Sequence, residues 1–333
     1  MKGTLMSEPI RIAIAGYGNL GRGVESAVAQ NKDTTLVGVF TRRDPAQVVP
    51  EQASTTILPW DALQDYTDKV DVLVLCGGSK GDLPEQGPEL AALFNTVDSY
   101  DTHAEIPEYF ASVDRAAAQA GTTALISVGW DPGMFSLNRM LGEAILPEGQ
   151  THTFWGRGVS QGHSAAVRRV PGVAGAVQYT VPSTEAIEAV REGRGADVPG
   201  QDKHVRECYV VLEEGADAEA VREEIVTMPH YFEPYRTTVT FITAEELQRD
   251  HAAMPHGGFV LRSGTTGGGH RQLVEYSLTL GDNPGFTSSV LVAYARAVHR
   301  MAAQGQRGAK TLYDVPPGLL SPRSPEELRA DLL

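Results

Sequence analysis

The stretch RIAIAGYGNLGRGVE, residues 11–25, decides the fold. It opens with a short apolar run rich in β-forming residues, and apolar residues at helical spacing follow over residues 20–30. The turn between them, GYGNLG, matches G-x-G-x-x-G through Gly16, Gly18 and Gly21. Alone the match is weak in a chain with 35 glycines. Between a strand and a helix it predicts a dinucleotide site whose phosphates rest on the helix N-terminus.

The rest of the first 130 residues alternates strands with helices. Apolar segments at 34–40, 70–76, 95–100 and 122–130 predict strands, and residues 106–121 predict a helix. VDVLVLC, residues 70–76, is apolar through most of its length, as expected of a strand buried on both faces. The fold class predicted is α/β, with a Rossmann-type doubly wound parallel sheet.

The order of predicted strands and helices changes after residue 130. A helix at 134–145 is followed by predicted strands with fewer helices between them, at 152–156, 176–181, 204–212, 236–242, 259–263 and 273–280. This pattern predicts a second, α+β domain with a mixed or antiparallel sheet. The glycine-rich segments VPGVAGA and GTTGGGH are expected to be loops. A further helix is predicted at 287–304. Residues 1–130, completed by the C-terminal segment from about 285 to 333, are therefore expected to form the first domain, and residues 131–284 the second.

Composition excludes some functions. The formal charge of -14 disfavours a nucleic-acid partner, because phosphate-binding surfaces carry net positive charge. Cys76 and Cys208 lie far apart, and no CxxC pair or His/Cys cluster has metal-ligand spacing. We expect no metal site and a reduced, cytoplasmic protein. No membrane partner is expected, since the N-terminus lacks the apolar core of a secretory signal and no apolar run approaches the ~20 residues of a membrane span.

Two arginines follow the second predicted strand, in TRRDP. An acidic residue at this position of a dinucleotide fold binds the adenosine ribose and would repel a 2′-phosphate. Arg42 and Arg43 would attract one, because guanidinium groups bind phosphate bidentately. The pair predicts NADP rather than NAD; the alternative is two idle charges on a surface loop.

The chain resembles the meso-diaminopimelate dehydrogenase family. The segments GYGNLGRGVE, TRRDP, VDSYDTHAEIP, SVGWDPGMFSLNR, HTFWGRGVSQGHS, RRVPGV, AVQYTVPS, MPHGG and DNPGFT follow one another in the family's order over nearly the whole chain. The resemblance implies NADP-dependent oxidative deamination at the D-centre of meso-2,6-diaminopimelate, giving L-2-amino-6-oxopimelate, ammonia and NADPH. It also implies that the reverse reaction serves lysine and cell-wall precursor biosynthesis, and that the protein is a homodimer whose second domain binds substrate and dimerises.

The resemblance also implies site residues. Besides the three glycines of the turn, cofactor contacts fall at Tyr17, Asn19, Leu20, Thr41, Arg42, Arg43, Cys76, Gly77, Gly78, Ser79, Ser99, Tyr100, Asp101, Val128, Gly129, Trp130, Asp131 and Pro132. Substrate contacts fall at Asp101, Asp131, Trp155, Gln161, Gly162, Thr180, Arg206, His256 and Asn283.

These residue types suit a diamino diacid. Arg206 can bind the carboxylate at the distal L-centre, with Thr180, His256 and Asn283 completing the hydrogen bonds. Asp101 and Asp131 are the candidate catalytic residues, because one of them, or a water it orients, could take a proton from the D-centre ammonium.

Each residue also has a simpler interpretation. Either aspartate could be a turn or capping residue, Arg206 a paired charge, and Trp155 part of the core. His256 could be an idle loop histidine. For the whole chain, the alternatives are a related NADP-dependent dehydrogenase acting on another amino acid or a semialdehyde, and a non-catalytic NADP(H)-sensing protein.

Overall fold

The structure, a computed structural model, describes residues 8–229 and 231–333. Residue contacts divide the chain into two compact units. The first unit comprises the chain up to Leu137 together with Pro284–Leu333, and the second comprises Asn138–Asn283. The first unit is thus built from two segments that are distant in sequence.

The strands are β1 Ile10–Ala15, β2 Thr34–Thr41, β3 Ile57–Pro59, β4 Val72–Leu75, β5 Thr96–Asp98, β6 Thr123–Leu125, β7 Glu148–Trp155, β8 Gly158–Val159, β9 Val173–Pro182, β10 His204–Leu212, β11 Thr237–Phe241, β12 His256–Thr265, β13 Arg271–Leu280 and β14 Gly308–Lys310. The helices are α1 Asn19–Gln30, α2 Leu83–Ala91, α3 Ile106–Ala120, α4 Met134–Ile145, α5 Gln161–Val167, α6 Thr184–Arg191, α7 Ala218–Val226, α8 Ala244–His251, α9 Asn283–Ala303 and α10 Pro325–Leu332.

The first unit is a Rossmann-like α/β unit, and the predicted fold class is confirmed. Its seven strands lie in the order β14-β6-β5-β4-β1-β2-β3, and every pair is parallel. The chain leaves β1 toward β2 on one side and returns to β4 on the other. Ligands bind at such a switch point, outside the carboxyl ends of the strands. The short strands β3 and β14 were not predicted.

The second unit contains two sheets. One has the order β11-β10-β9-β8 and is mixed, since β10 pairs parallel to β11 and antiparallel to β9. The other, β13-β12-β7, is antiparallel.

Two predicted boundaries are wrong. The segment VPGVAGA was expected to be a loop, but β9 already begins at Val173. The pairing of β9 with β10 is irregular where this glycine-containing segment joins the sheet: Val211 lies opposite Gly175, whereas Leu212 lies opposite Val173. Helix α9 begins at Asn283 rather than at 287. Pro284 does not interrupt it there, because proline is tolerated in the first turn of a helix.

Helix α9 belongs to the core of the first unit. Its side chains from Val290 to Met301 pack in one buried cluster with residues of β1 and α1. Arg296, only 2% exposed, bonds to Asp33 with nitrogen–oxygen distances of 2.5 and 2.8 Å and to Asn31 at 2.9 Å. The buried guanidinium is thus paired and hydrogen-bonded, and it fixes the helix against the loop between α1 and β2.

None of the helices in the described part of the chain combines the length and the apolar character needed to span a membrane.

Candidate active site

The turn after β1 has the geometry of a phosphate-binding turn. Gly16 has φ +96°, and a Cβ there would lie 3.1 Å from the carbonyl carbon of Cys76, so no other residue fits easily. Gly21 is pressed against the carbonyl oxygen of Gly16, which brings α1 close to the strand. Gly18 differs, because a Cβ there would meet nothing within 4 Å. Packing therefore requires the outer two glycines, whereas the middle one keeps open the approach to the N-terminus of α1.

A cavity of about 350 Å³ opens beside this turn. Its lining brings together nine of the predicted cofactor residues, Gly16, Tyr17, Gly18, Thr41, Arg42, Arg43, Cys76, Gly77 and Gly78. Arg43 donates from Nη2 to the carbonyl oxygen of Tyr17. Arg42 lies over the ring of Trp60, with 5.9 Å from Cζ to the ring centroid. Both guanidinium groups border the cavity and can meet an anion there.

Three lining residues were not predicted, Trp60, Asp82 and Gln86. Asp82 Oδ1 accepts from Arg42 Nη2 at 2.6 Å, and its Oδ2 accepts from the Gly78 backbone at 2.7 Å. These bonds, the Gly78 bond foremost, lower the pKa of Asp82. One sequence signal could have found Asp82, because it follows closely on β4 at the edge where ligands bind.

Asp101 follows β5, and Asp131 follows β6, its neighbour in the sheet, so both lie at the same edge. The backbone N–H of Asp101 donates to Ser79 Oγ at 2.8 Å, which joins the loops after β4 and β5. The Asp101 side chain is exposed, and that of Asp131 is half-buried. Two aspartates thus lie at the ligand-binding edge of the first unit.

A buried aspartate that was not predicted ties these loops together. Asp98 Oδ1 accepts from the backbones of Tyr100 and Ser127, both at 2.9 Å, and Oδ2 accepts from the Tyr109 hydroxyl at 2.7 Å. Burial raises the pKa of Asp98. One carboxyl group therefore fixes the start of both loops that carry the candidate catalytic residues.

Several predicted cofactor contacts can involve only the backbone. Tyr100 is 1% exposed and stacks on Tyr109 with ring centroids 4.1 Å apart. Val128 is fully buried, and Trp130, 9% exposed, packs edge-on against Phe135 at 5.3 Å. Gly129 lies between Val128 and Trp130, Pro132 lies between Trp130 and α4, and Ser99 is half-buried. Asn19 and Leu20 start α1. Cys76 is buried, which raises its thiol pKa, so the residue does not supply a reactive thiolate.

In the second unit, Arg206 and Thr180 face each other across β10 and β9. Arg206 Nη1 donates to Thr180 Oγ1 at 2.9 Å, and its guanidinium lies 4.1 Å from the ring centroid of Tyr235. The side chain is 7% exposed, and Nε is buried without a hydrogen-bond partner. Burial lowers the pKa of Arg206. Within the described residues, no carboxylate pairs with this guanidinium, so it is prepared to receive one from a ligand.

Other predicted substrate residues surround this part of the sheet. Gly158 pairs with Thr180 in register, and the ring of His256 lies directly over Gly158. Trp155, 40% exposed, stacks on His204 with ring centroids 5.6 Å apart.

The remaining three predicted substrate residues lie at helix starts. Gln161 and Gly162 open α5 and are exposed, and Gln161 Nε2 lies 3.7 Å from Met254 Sδ. Asn283 begins α9, and its backbone N–H donates to the Met254 carbonyl at 3.0 Å. Met254 thus contacts two of the predicted substrate residues, Gln161 and Asn283.

Two histidines near Arg206 are neutral. Burial, and then the charge of Arg206, lower the pKa of both His163 and His204 to about 4. His163 Nδ1 lies 2.7 Å from Ser160 Oγ, and His204 Nε2 accepts from the Trp155 backbone at 2.8 Å. Both rings therefore act as fixed neutral groups rather than as proton carriers. In the part of the chain that the structure describes, no group of three or more His, Cys, Asp or Glu side chains could hold a metal ion.

Known proteins resemble this chain over nearly its whole length. Residues 129–282 match the family model described as diaminopimelic acid dehydrogenase C-terminal domain. A meso-diaminopimelate D-dehydrogenase from Ureibacillus thermosphaericus is 60% identical over 324 residues, covering 97% of this chain and 99% of that relative.

Two solved structures resemble the whole chain. The DAP dehydrogenase of C. glutamicum in complex with DAP has a TM-score of 0.87 and 47% identity, covering 98% of this chain and 100% of that one. An engineered D-amino acid dehydrogenase bound to NADP⁺ has a TM-score of 0.81 and 46% identity, with the same coverage. The chain belongs to the meso-diaminopimelate D-dehydrogenase family.

Proposed function

We propose that this protein catalyses the reversible, NADP-dependent oxidative deamination of the D-centre of meso-2,6-diaminopimelate, yielding L-2-amino-6-oxopimelate, ammonia and NADPH. The buried Arg206 guanidinium carries this proposal, because it bonds to Thr180 and has no carboxylate partner within the described residues. A buried cation left in this state favours an anionic ligand. In the reverse direction the reaction supplies an amino-acid precursor of lysine and the cell wall.

The first unit binds the cofactor in this proposal. The turn with Gly16, Gly18 and Gly21 holds the pyrophosphate at the N-terminus of α1, and Arg42 with Arg43 holds the 2′-phosphate. These residues fit NADP⁺, because the guanidinium groups of Arg42 and Arg43 border the cavity and the glycine turn leaves open space at Gly18. When bound, NADP⁺ accepts the hydride from the D-centre carbon.

The second unit binds the far end of the substrate. Arg206 and Thr180 take the carboxylate at the L-centre, and His256, Asn283, Trp155, Gln161 and Gly162 complete the recognition. This binding fixes which centre reacts, because a diamino diacid held by its L-end presents only the opposite centre for reaction.

Asp101 and Asp131 handle protons at the D-centre. A carbon can lose hydride only when its nitrogen is a neutral amine, so the ammonium must first lose a proton. A carboxylate or a water that it orients can accept this proton. The two aspartates also attract the ammonium, and they can orient the water that replaces nitrogen as ammonia leaves.

The second unit also forms the homodimer in this proposal. Strand β13 is the edge of its sheet, and most of its residues are exposed, including Leu273 at 38% and Val274 at 39%. Ile145 on α4 is 64% exposed. A long exposed edge strand with apolar side chains invites pairing, and a second copy of this chain is the partner we propose. We place the protein in the cytoplasm, where its two buried cysteines stay reduced.

The absorbance of NADPH tests the reaction directly. The purified protein is mixed with NADP⁺ and each of the meso, LL and DD stereoisomers of diaminopimelate, and in separate assays with NADP⁺ and other D-amino acids. Activity with the meso form far above the others is expected. Equal or greater activity with other D-amino acids would favour the related dehydrogenase instead. Tight NADP⁺ binding without any absorbance change would favour a sensing protein.

A further inference from the structure

We propose that the Asp82 carboxylate lowers the affinity for NADP⁺, and so limits the preference for NADP⁺ over NAD⁺, by competing with the 2′-phosphate for Arg42. The inference rests on the proposed cofactor site, in which Arg42 binds that phosphate. Asp82 lies outside the residues that the sequence identified, and the structure places it in the same cavity.

A carboxylate oxygen of Asp82 occupies the position beside Arg42 that a phosphate oxygen would take. Its Oδ1 lies 2.6 Å from Arg42 Nη2, the nitrogen–oxygen separation of a short charge-assisted hydrogen bond. The same cavity is lined by Gly16 and Gly18 of the phosphate turn. An incoming phosphate must therefore share Arg42 with Asp82 or displace it.

Asp82 stays in place when Arg42 moves. Its second oxygen accepts from the Gly78 backbone at 2.7 Å, and the residue directly precedes helix α2, whose N-terminus favours a negative charge. A Cβ at Gly77 would lie 2.9 Å from the Cβ of Asp82, so the absence of a side chain at Gly77 lets Asp82 lie close against the loop after β4. The carboxylate thus remains in the cavity wall facing the phosphate.

The solvent exposure of Arg42 and Asp82 shows that their ion pair matters less than the repulsion between Asp82 and the phosphate. The side chains of Arg42 and Asp82 are 60% and 26% exposed, and such a partly exposed pair contributes little free energy. Arg42 is therefore released easily, and the lasting effect of Asp82 is repulsion between its charge and the doubly charged phosphate. NAD⁺ carries no 2′-phosphate, so this repulsion does not lower the affinity for NAD⁺.

The test compares dissociation constants of the full-length protein for NADP⁺ and NAD⁺ by titration calorimetry. Asp82→Asn keeps an acceptor for the Gly78 N–H but removes the charge, and should bind NADP⁺ about three- to tenfold more tightly with little change for NAD⁺. Asp82→Glu keeps the charge and should stay near the original protein. Asp71→Asn is the matched control, because Asp71 is similarly exposed at 21%, pairs with Arg11, and precedes β4 at the opposite edge of the sheet.

The pH dependence of NADP⁺ binding shows whether Asp82→Asn acts through the lost charge or through a change in side-chain shape. The second pKa of a phosphate monoester is about 6, so the gain from Asp82→Asn should shrink between pH 7.5 and pH 5.5 as the phosphate loses charge. Thermal melting confirms that each variant is folded. A gain that does not depend on pH, weaker NADP⁺ binding, or an equal change for both cofactors would overturn the proposal.

Arg42→Ala distinguishes this inference from the function on which it rests. If Arg42→Ala weakens NADP⁺ alone while Asp82→Asn changes nothing, competition is wrong and the proposed cofactor site stands. If Arg42→Ala affects NADP⁺ and NAD⁺ equally, the phosphate assignment and the competition are both wrong. Activity on meso-2,6-diaminopimelate is measured separately and does not depend on either outcome.

Discussion

Replacing Arg206 by methionine should separate substrate binding from protein stability. Methionine follows the path of the arginine side chain but removes its charge and all five donors. The expected effects on catalysis and on folding then differ greatly in size, because in the proposed function the guanidinium binds a ligand and contributes little to the fold.

The loss in catalysis follows from the burial of Arg206. Because Arg206 is only 7% exposed, the bonds that we propose between it and a substrate carboxylate would form away from water. Removing one partner of such a buried charged pair costs about 2–5 kcal/mol. At 1.36 kcal/mol per factor of ten, a central value of about 3–4 kcal/mol lowers kcat/KM for meso-2,6-diaminopimelate by about 10²–10³.

The cost to folding is small because two effects oppose each other. Methionine loses the 2.9 Å bond to Thr180 and the contact with the Tyr235 ring, each worth about 1 kcal/mol. It also removes a buried charge and the buried Nε that lacks a partner. We expect the free energy of unfolding to change by no more than about 1 kcal/mol.

The assay measures kcat/KM at saturating NADP⁺, the NADP⁺ dissociation constant, and unfolding in urea. Arg222→Met is the matched control, because Arg222 also lies over an aromatic ring of this unit, 4.9 Å from the centroid of Phe241, but is not a site residue. It should leave kcat/KM unchanged. A value of kcat/KM for Arg206→Met within a factor of five of the original, or a large loss of stability, would refute the reasoning.

Three further predictions concern the cofactor turn, the pH dependence and the dimer. Gly18→Ala should leave the melting temperature unchanged yet abolish NADP⁺ binding, whereas Gly21→Ala should lower the melting temperature as well, since only the latter Cβ has no space in the fold; equal melting temperatures would contradict this. The folded-state pKa of about 4 for His163 and His204 lies below the ordinary 6.5, so unfolded chains bind more protons and the stability present above pH 6.5 should fall as the pH drops toward 4. Urea unfolding between pH 7 and pH 4 measures this slope, which should be shallower in His204→Gln; an unchanged slope would exclude His204 as a cause. Val274→Arg should shift the protein from dimer to monomer in sedimentation velocity, while the same change at exposed Val49 of the first unit should not; a dimer unaffected by Val274→Arg would place the interface elsewhere.

The sequence predicts best what depends on neighbours along the chain. The glycine turn, the strand before it and helix α1 lie within 21 residues, so one short stretch of sequence shows their pattern. Helix α4 was predicted at 134–145 and is found at Met134–Ile145 for the same reason, since an amphipathic period is a local signal. The strands β3 and β14 have three residues each, too few to show any period.

Contacts between distant segments could not be predicted from the residues alone. Asp82 meets Arg42 across 40 residues, and nothing in either segment indicates the other. Tyr235 lies over Arg206 only because the parallel pairing of β10 and β11 brings its segment there. The bond between Arg206 and Thr180 depends on the register of β9 and β10, and helix α6 lies between these strands in the chain, so no tight turn fixes that register. The family resemblance named both residues, but the structure supplies their contact.

The discontinuity of the first unit has a consequence for biogenesis. The ion pair between Asp33 and Arg296 closes a loop of 263 residues, and β14 joins the sheet later still in the chain. During synthesis, the ribosome therefore releases all of Asn138–Asn283 before the sheet that precedes it can gain its last helix and strand. The inserted segment is contiguous and can consolidate while the nascent N-terminal half remains incomplete. Maturation of this enzyme should thus end with the arrival of its C-terminal 50 residues, Pro284–Leu333.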